Sequence, residues 1–224
     1  MAFMVKAHKP PKGQGRLSVT GYLAAVMKQV MIEHLQSKGI SDKSYCFMPA
    51  DVRSKISQDK QVPVDEMANF GGSIFYPFDT REPVNNIWSE AITITGQLID
   101  AMSSDYLDMQ TRAAGEEYAA VMREPDSERK RQLTKGRDNV GVVSNLGKLL
   151  NFPVFNHLKF ITGRSNGTCR MMAGRKNVFW LMLVPVNEVS YFEFYVTPGT
   201  AREDINFFAT KFMQKITSHM NGST

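Results

Sequence analysis

A β-branched run, Val140-Gly141-Val142-Val143, ends abruptly in Ser144-Asn145 before Leu146-Gly147. A strand that stops in a hydroxyl and an amide sets two hydrogen-bonding groups at its mouth, where they can orient a ligand carbonyl or hydroxyl as an oxyanion donor does. The same two side chains can instead bond their own backbone in a turn. The four histidines, His8, His34, His157 and His219, are scattered, with no HExxH pair and no carboxylate at a metal-ligand spacing. No metal site is expected from them. His34, at the edge of a helical apolar face, and His157, in a candidate strand, read as packed or surface residues rather than bases. GxSxG, GxxxxGK[ST] and GxGxxG are all missing, since Gly13-x-Gly15 continues as Arg16-Leu17-Ser18. Serine hydrolase, P-loop and Rossmann chemistry lose their main support, and no residue is singled out as catalytic.

The 27 Lys and Arg against 22 Asp and Glu leave a net charge of +5, a bias too mild to name a partner. The densest basic run, Arg129-Lys130-Arg131 with Lys135 and Arg137, has no interleaved aromatics and is answered by Glu124, Asp126 and Glu128. It reads as a solvated loop, and no nucleic-acid partner is expected. Cys46 and Cys169 are too far apart for a CxxC clip and too few for a disulfide framework, which suits a reducing, cytoplasmic setting. No apolar run approaches the roughly 18 residues of a membrane span. Fourteen Met and fourteen Phe in 224 residues suit an irregular core or the lining of a channel for greasy ligands.

Stepping along the chain, residues 1–17 are a basic Pro/Gly arm, and Ser18 or Thr20 can cap a helix whose apolar positions run from Val19 through Tyr22, Leu23, Val26, Met27, Val30 and Met31 to Leu35, stopping at Gly39. Ser44 to Val52 and Asn69 to Tyr76 read as strands, the first ending in Asp51-Val52-Arg53. A helix starts at Asn86, and a second amphipathic stretch follows over 104–122. From Val140 the period is that of strands, at 140–144, 156–162, 168–173, 178–184 and 189–196, in a largely antiparallel meander. Thr200-x-x-Glu203 reads as a capping box for a final helix on Ile205, Phe208, Ala209, Phe212 and Ile216, with a frayed tail from 218 to 224. The fold class is α/β, one unit over 18–217 with a mixed, largely antiparallel sheet packed by helices.

In this order the capped helix at 18–38, Asp51-Val52-Arg53 after a strand, Asn69-Phe70-Gly71-Gly72, a Trp88-bearing helix and Val143-Ser144-Asn145-Leu146-Gly147 before the last strands and helix resemble the C-terminal half of two-domain acyltransferases of the chloramphenicol acetyltransferase-like superfamily. That superfamily includes alcohol acetyltransferases, plant BAHD enzymes and peptide-synthetase condensation domains. The resemblance implies a chloramphenicol acetyltransferase-like subdomain, in which a His of an HHxxxDG motif deprotonates an alcohol or amine that attacks a thioester held in a tunnel between two halves. HHxxxDG occurs nowhere in this chain; in the relatives it belongs to the N-terminal half, and the arm before Ser18 resembles the crossover joining the halves. By the same resemblance Ser144 and Asn145 face the tunnel, while Asp51, Arg53 and Asn69 fix loops, Arg53 by hydrogen bonds or a local bridge to Asp51. Nothing is expected to stay bound as a cofactor. Acyl-CoA or an acyl-carrier thioester is the implied co-substrate, and an N-terminal half, a second copy or a hydrophobic acyl ligand the implied partner. A non-catalytic binding module on the same scaffold is the alternative.

Overall fold

Ser18 opens the first helix: its backbone is extended and its Oγ accepts a hydrogen bond from the Gly21 amide at 2.9 Å, satisfying one of the free donors of a helix N-terminus. In the computed structural model, which describes residues 15–41, 43–51, 71–103, 116, 119–120, 123–125, 139–145, 177–186 and 189–221, this helix, α1, spans Val19–Ser37. Gly39, with φ 68°, turns the chain out of it. Of the positions marked by the apolar period, Tyr22, Leu23, Val26, Met27, Val30, Met31 and Leu35 are fully excluded from solvent and Val19 is half-buried. A helix apolar around so much of its circumference belongs at the centre of a layer. α1 packs against both α2 (Ile87–Ser103) and α3 (Arg202–Met220), and against the sheet beneath.

Asn86 starts α2, its Oδ1 accepting from the amides of Trp88 at 3.0 Å and Ser89 at 2.9 Å. The capping box expected for α3 does not form. The N-cap is Ala201, without a side-chain bond, because the Thr200 hydroxyl turns back and donates to the Thr197 carbonyl at 2.6 Å, closing the turn after the last strand. α3 continues to Met220, into the stretch read as a tail.

The sheet contains β1 (Lys43–Asp51), β2 (Gly71–Asp79), β3 (Asn139–Asn145), β4 (Asn177–Val186) and β5 (Val189–Val196), in the order β2-β1-β3-β4-β5. β1/β2 and β4/β5 are antiparallel, β1/β3 and β3/β4 parallel. The architecture is α/β with a mixed sheet. The antiparallel meander expected from Val140 onward holds for β4 and β5 alone among the described strands. β3 and β4 run parallel, from Asn139 opposite Asn177 to Asn145 opposite Leu183. The turn residues read from the sequence signal hairpins, whereas a parallel pair takes a crossover, which leaves no short local signature. The strands expected at 156–162 and 168–173, and the basic run 129–137, lie outside the described residues.

Alternation along each strand divides the sheet into two faces. Cys46, Met48, Ile74, Phe78, Val143, Phe179, Leu181 and Leu183 join the helices in the main core. Gly141 is on this side, where a Cβ would stand 2.6 Å from Met27 Cγ. The opposite face carries a second cluster of Phe47, Val140, Val142 and Val178, with Phe75, Trp180 and Tyr195 against it.

Candidate functional site at the carboxyl ends of the parallel strands

Open α/β sheets gather ligands outside the carboxyl ends of their parallel strands, where neighbouring strands diverge. Here β1 and β3 are laddered only from Tyr45/Val140 to Phe47/Val142. Beyond Phe47 the β1 chain enters Pro49, which has no amide hydrogen to offer a ladder. Met48–Asp51 and Val143–Asn145 therefore run on past their last shared pair. Asp51 ends β1, and Ser144 and Asn145 end β3, so these three sequence-identified residues share one edge of the sheet. Arg53 and Asn69, and with them the Asp51–Arg53 bridge, lie outside the described residues.

Ser144 and Asn145 are both within β3, so their side chains leave the sheet on opposite faces. Asn145 is on the helix side, half-buried, and its Nδ2 donates to Thr20 Oγ1 at 3.2 Å in the first turn of α1. The same turn is fastened to α2: the Ser18 amide donates to Thr95 Oγ1 at 3.1 Å, and Thr95 donates to the Ala91 carbonyl at 2.7 Å. Gly21 allows this approach, since a Cβ there would lie 2.1 Å from Thr95 Oγ1 and 2.8 Å from the Ala91 oxygen.

Ser144 is on the face away from the helices, 7% exposed, opposite Met182 in register. Its hydroxyl makes no side-chain hydrogen bond among the described residues. Trp180 stands beside Val142 on one side and Tyr195 on the other. The indole is half-buried, yet its Nε1 is shielded from solvent without an acceptor among the described residues. On the next strand the Tyr195 hydroxyl donates to Glu193 Oε2 at 2.6 Å. These polar groups thus stand among the buried side chains of Phe47, Val142, Val178 and Met182.

Inside the helix-side core is a charged network that the sequence reading missed. Lys28, 6% exposed, donates from Nζ to Glu90 Oε1 at 2.8 Å, and the Tyr76 hydroxyl donates to the same oxygen at 2.8 Å. The ammonium also lies 5.6 Å from the Tyr76 ring centroid and 5.9 Å from that of Phe78, a cation–π arrangement that offsets its desolvation. The available signal was phase: Lys28 falls at helical spacing with Ala24, Met31 and Leu35, where an unpaired charge has no place. Burial and the hydrogen bond to the Glu90 carboxylate both hold the Tyr76 phenol protonated. Cys46, nearby, is completely buried and its thiol is pushed up to about 12, mainly by desolvation, so it is a packing residue rather than a nucleophile. Tyr76 also lines a cleft of about 390 Å³ between β2 and α2, walled by Met48, Ile74, Ile94 and Leu98 with Gln97 among its lining.

The described histidines are packed. His34 is 2% exposed and meets Phe179 edge-on at 5.1 Å; burial lowers its pKa, partly countered by Asp204. His219, in the last turn of α3, lies against Tyr22 and Trp88. His8 and His157 lie outside the described residues. No described helix is long and apolar enough to cross a membrane. No protein-family model matches the chain, and no curated protein matches it.

Proposed function

We propose that the chain is the C-terminal-type half of a thioester-dependent O- or N-acyltransferase of the chloramphenicol acetyltransferase-like superfamily, forming one wall of the substrate tunnel. Acyl-CoA or an acyl-carrier thioester is the co-substrate. One observation carries this reading: the order of the elements. Among the described elements, a Ser18-capped helix, a strand ending at Asp51, its antiparallel neighbour, a helix bearing Trp88, a strand ending in Ser144-Asn145, two further strands and a closing helix come in the order on which the resemblance rests. Composition does not dictate that order.

The division of labour follows from what the chain contains. Without HHxxxDG it supplies a surface and hydrogen-bond donors, and the proton acceptor comes from the other half. A positioned general base typically contributes about 10²–10⁴-fold, so the chain alone transfers little. The test is to assay acetyl and octanoyl transfer from CoA to alcohols and amines by the chain, by an HHxxxDG-bearing N-terminal half, and by the two together. Transfer that requires both is the expected result. Robust turnover by the chain alone, or no association and no gain on mixing, overturns the proposal.

A further inference from the structure

We infer that the cleft between β2 and α2 binds a medium-chain aliphatic amine, its chain lying along α2 and its ammonium beside Asp100; this goes beyond the acyltransferase reading and does not depend on it. The space is about 390 Å³, within the range of small-molecule sites. Met48 and Ile94, 2% and 0% exposed, are its most buried lining residues, and Ile74 stands opposite Met48 in the β1/β2 ladder. On the helix side the wall is Ile94, Leu98 and Ala101, at the four- and three-residue spacing of one helical face. Ala101 ends that wall in a single methyl group, which leaves the space open. From Ile94 to Ala101 the helix rises about 10 Å, the length of an extended chain of about eight carbons.

The polar groups choose the head. Gln97 and Asp100 are the exposed polar members of the lining, and among the described lining residues Asp100 alone carries a charge. An ionised carboxylate has acceptor sites for more than one donor, so the contacts Asp100 makes within the chain leave room for an ammonium. Tyr76, in the wall, gives its proton to Glu90 and has none to offer an anionic oxygen. A ligand carboxylate beside Asp100 is a like-charge neighbour and disfavoured, whereas an ammonium there is favoured. An aliphatic amine therefore matches the cleft in both chain and head, and a fatty acid in its chain alone.

Calorimetric titration of the full chain with octylamine, octanol and octanoate at pH 7 tests the assignment. Saturable binding of octylamine is expected, tighter than that of octanol and tighter still than that of octanoate. Asp100→Asn should weaken octylamine by about two- to fivefold, the effect of one exposed ion pair, and leave octanol unaffected. Ala101→Leu fills the cleft and should weaken octylamine and octanol alike by about tenfold, the loss of burying about two methylene groups. Thermal melts establish that each variant is folded; should Ala101→Leu unfold, Leu98→Ala removes part of the wall and reads the same loss. No saturable octylamine binding by the native chain overturns the proposal, as does binding that the folded cleft variant leaves unchanged. Octanoate binding as tight as that of octylamine, or octylamine binding unmoved by Asp100→Asn, overturns the ammonium assignment. The two-half transfer assay is untouched by any of these results, so the two readings fail separately.

Discussion

The Tyr22 hydroxyl and His219 Nδ1 are 197 residues apart in the chain and 2.9 Å apart in the fold. Tyr22 is fully buried in α1 and stacks on Trp88 of α2 at 5.1 Å, while His219 comes from the last turn of α3. One contact therefore joins all three helices at the end of the layer. Burial raises the phenol pKa and, together with Lys215, lowers that of the imidazole. Both shifts favour a protonated phenol beside a neutral ring.

That polarity gives a pH dependence of definite sign. A histidine whose folded pKa lies below its unfolded value of about 6.5 favours the fold fully above that pH, and its contribution is lost as pH falls through the folded value. His34 is lowered as well and acts in the same direction. The melting temperature should fall between pH 7 and pH 5, and His219→Gln should reduce the slope without abolishing it. A slope unchanged in His219→Gln would remove the contact from the account.

Lys28 and Glu90 should behave as a coupled pair. Lys28→Met leaves a largely buried carboxylate with only the Tyr76 hydroxyl, and the loss of one member of a buried pair costs about 3–5 kcal/mol. Glu90→Gln leaves the ammonium unpaired at a similar cost. The double variant, in which Gln still accepts from Tyr76, should cost less than the sum of the two by at least about 1 kcal/mol. Additive losses in urea melts would show that the ion pair is not coupled.

Two glycines should differ in tolerance. A Cβ at Gly141 meets side-chain atoms alone, of Met27 and Met31, but one at Gly21 meets the Ala91 backbone oxygen as well as Thr95. Gly141→Ala should cost about 1 kcal/mol and Gly21→Ala about 3 kcal/mol, the range for overpacking, even though alanine favours a helix by about 1 kcal/mol over glycine. Equal melting temperatures for the two variants would count against the close α1–α2 crossing.

Asn145→Ala removes the bond to Thr20 and should lower stability by about 1 kcal/mol. Ser144→Ala, at a hydroxyl with no side-chain partner among the described residues, should cost less. Chemical denaturation of both variants reads the difference, and equal losses would contradict the division of these neighbours between two faces.

The sequence by itself determined the elements whose signals are local. The three-and-four spacing of apolar residues drew α1 and α2, Ser18 or Thr20 and Gly39 marked the ends of α1, and β-branched runs drew β3, β4 and β5. Local pattern suffices there because propensity, capping and one-sided burial depend on neighbours within a few residues. Even so, Thr200 shows the limit: the capping-box spacing was present, but its hydroxyl took the closer Thr197 carbonyl. Only the tertiary structure decided that β3 and β4 run parallel, that Lys28 meets Glu90 62 residues on, and that His219 docks on Tyr22. Extending β3 by one residue beyond its expected end moved Asn145 from a shared mouth with Ser144 to the helix face. These outcomes depend on which surfaces are brought together across long stretches of chain, and a residue's own neighbourhood in sequence carries no energy term for a partner it meets only after folding.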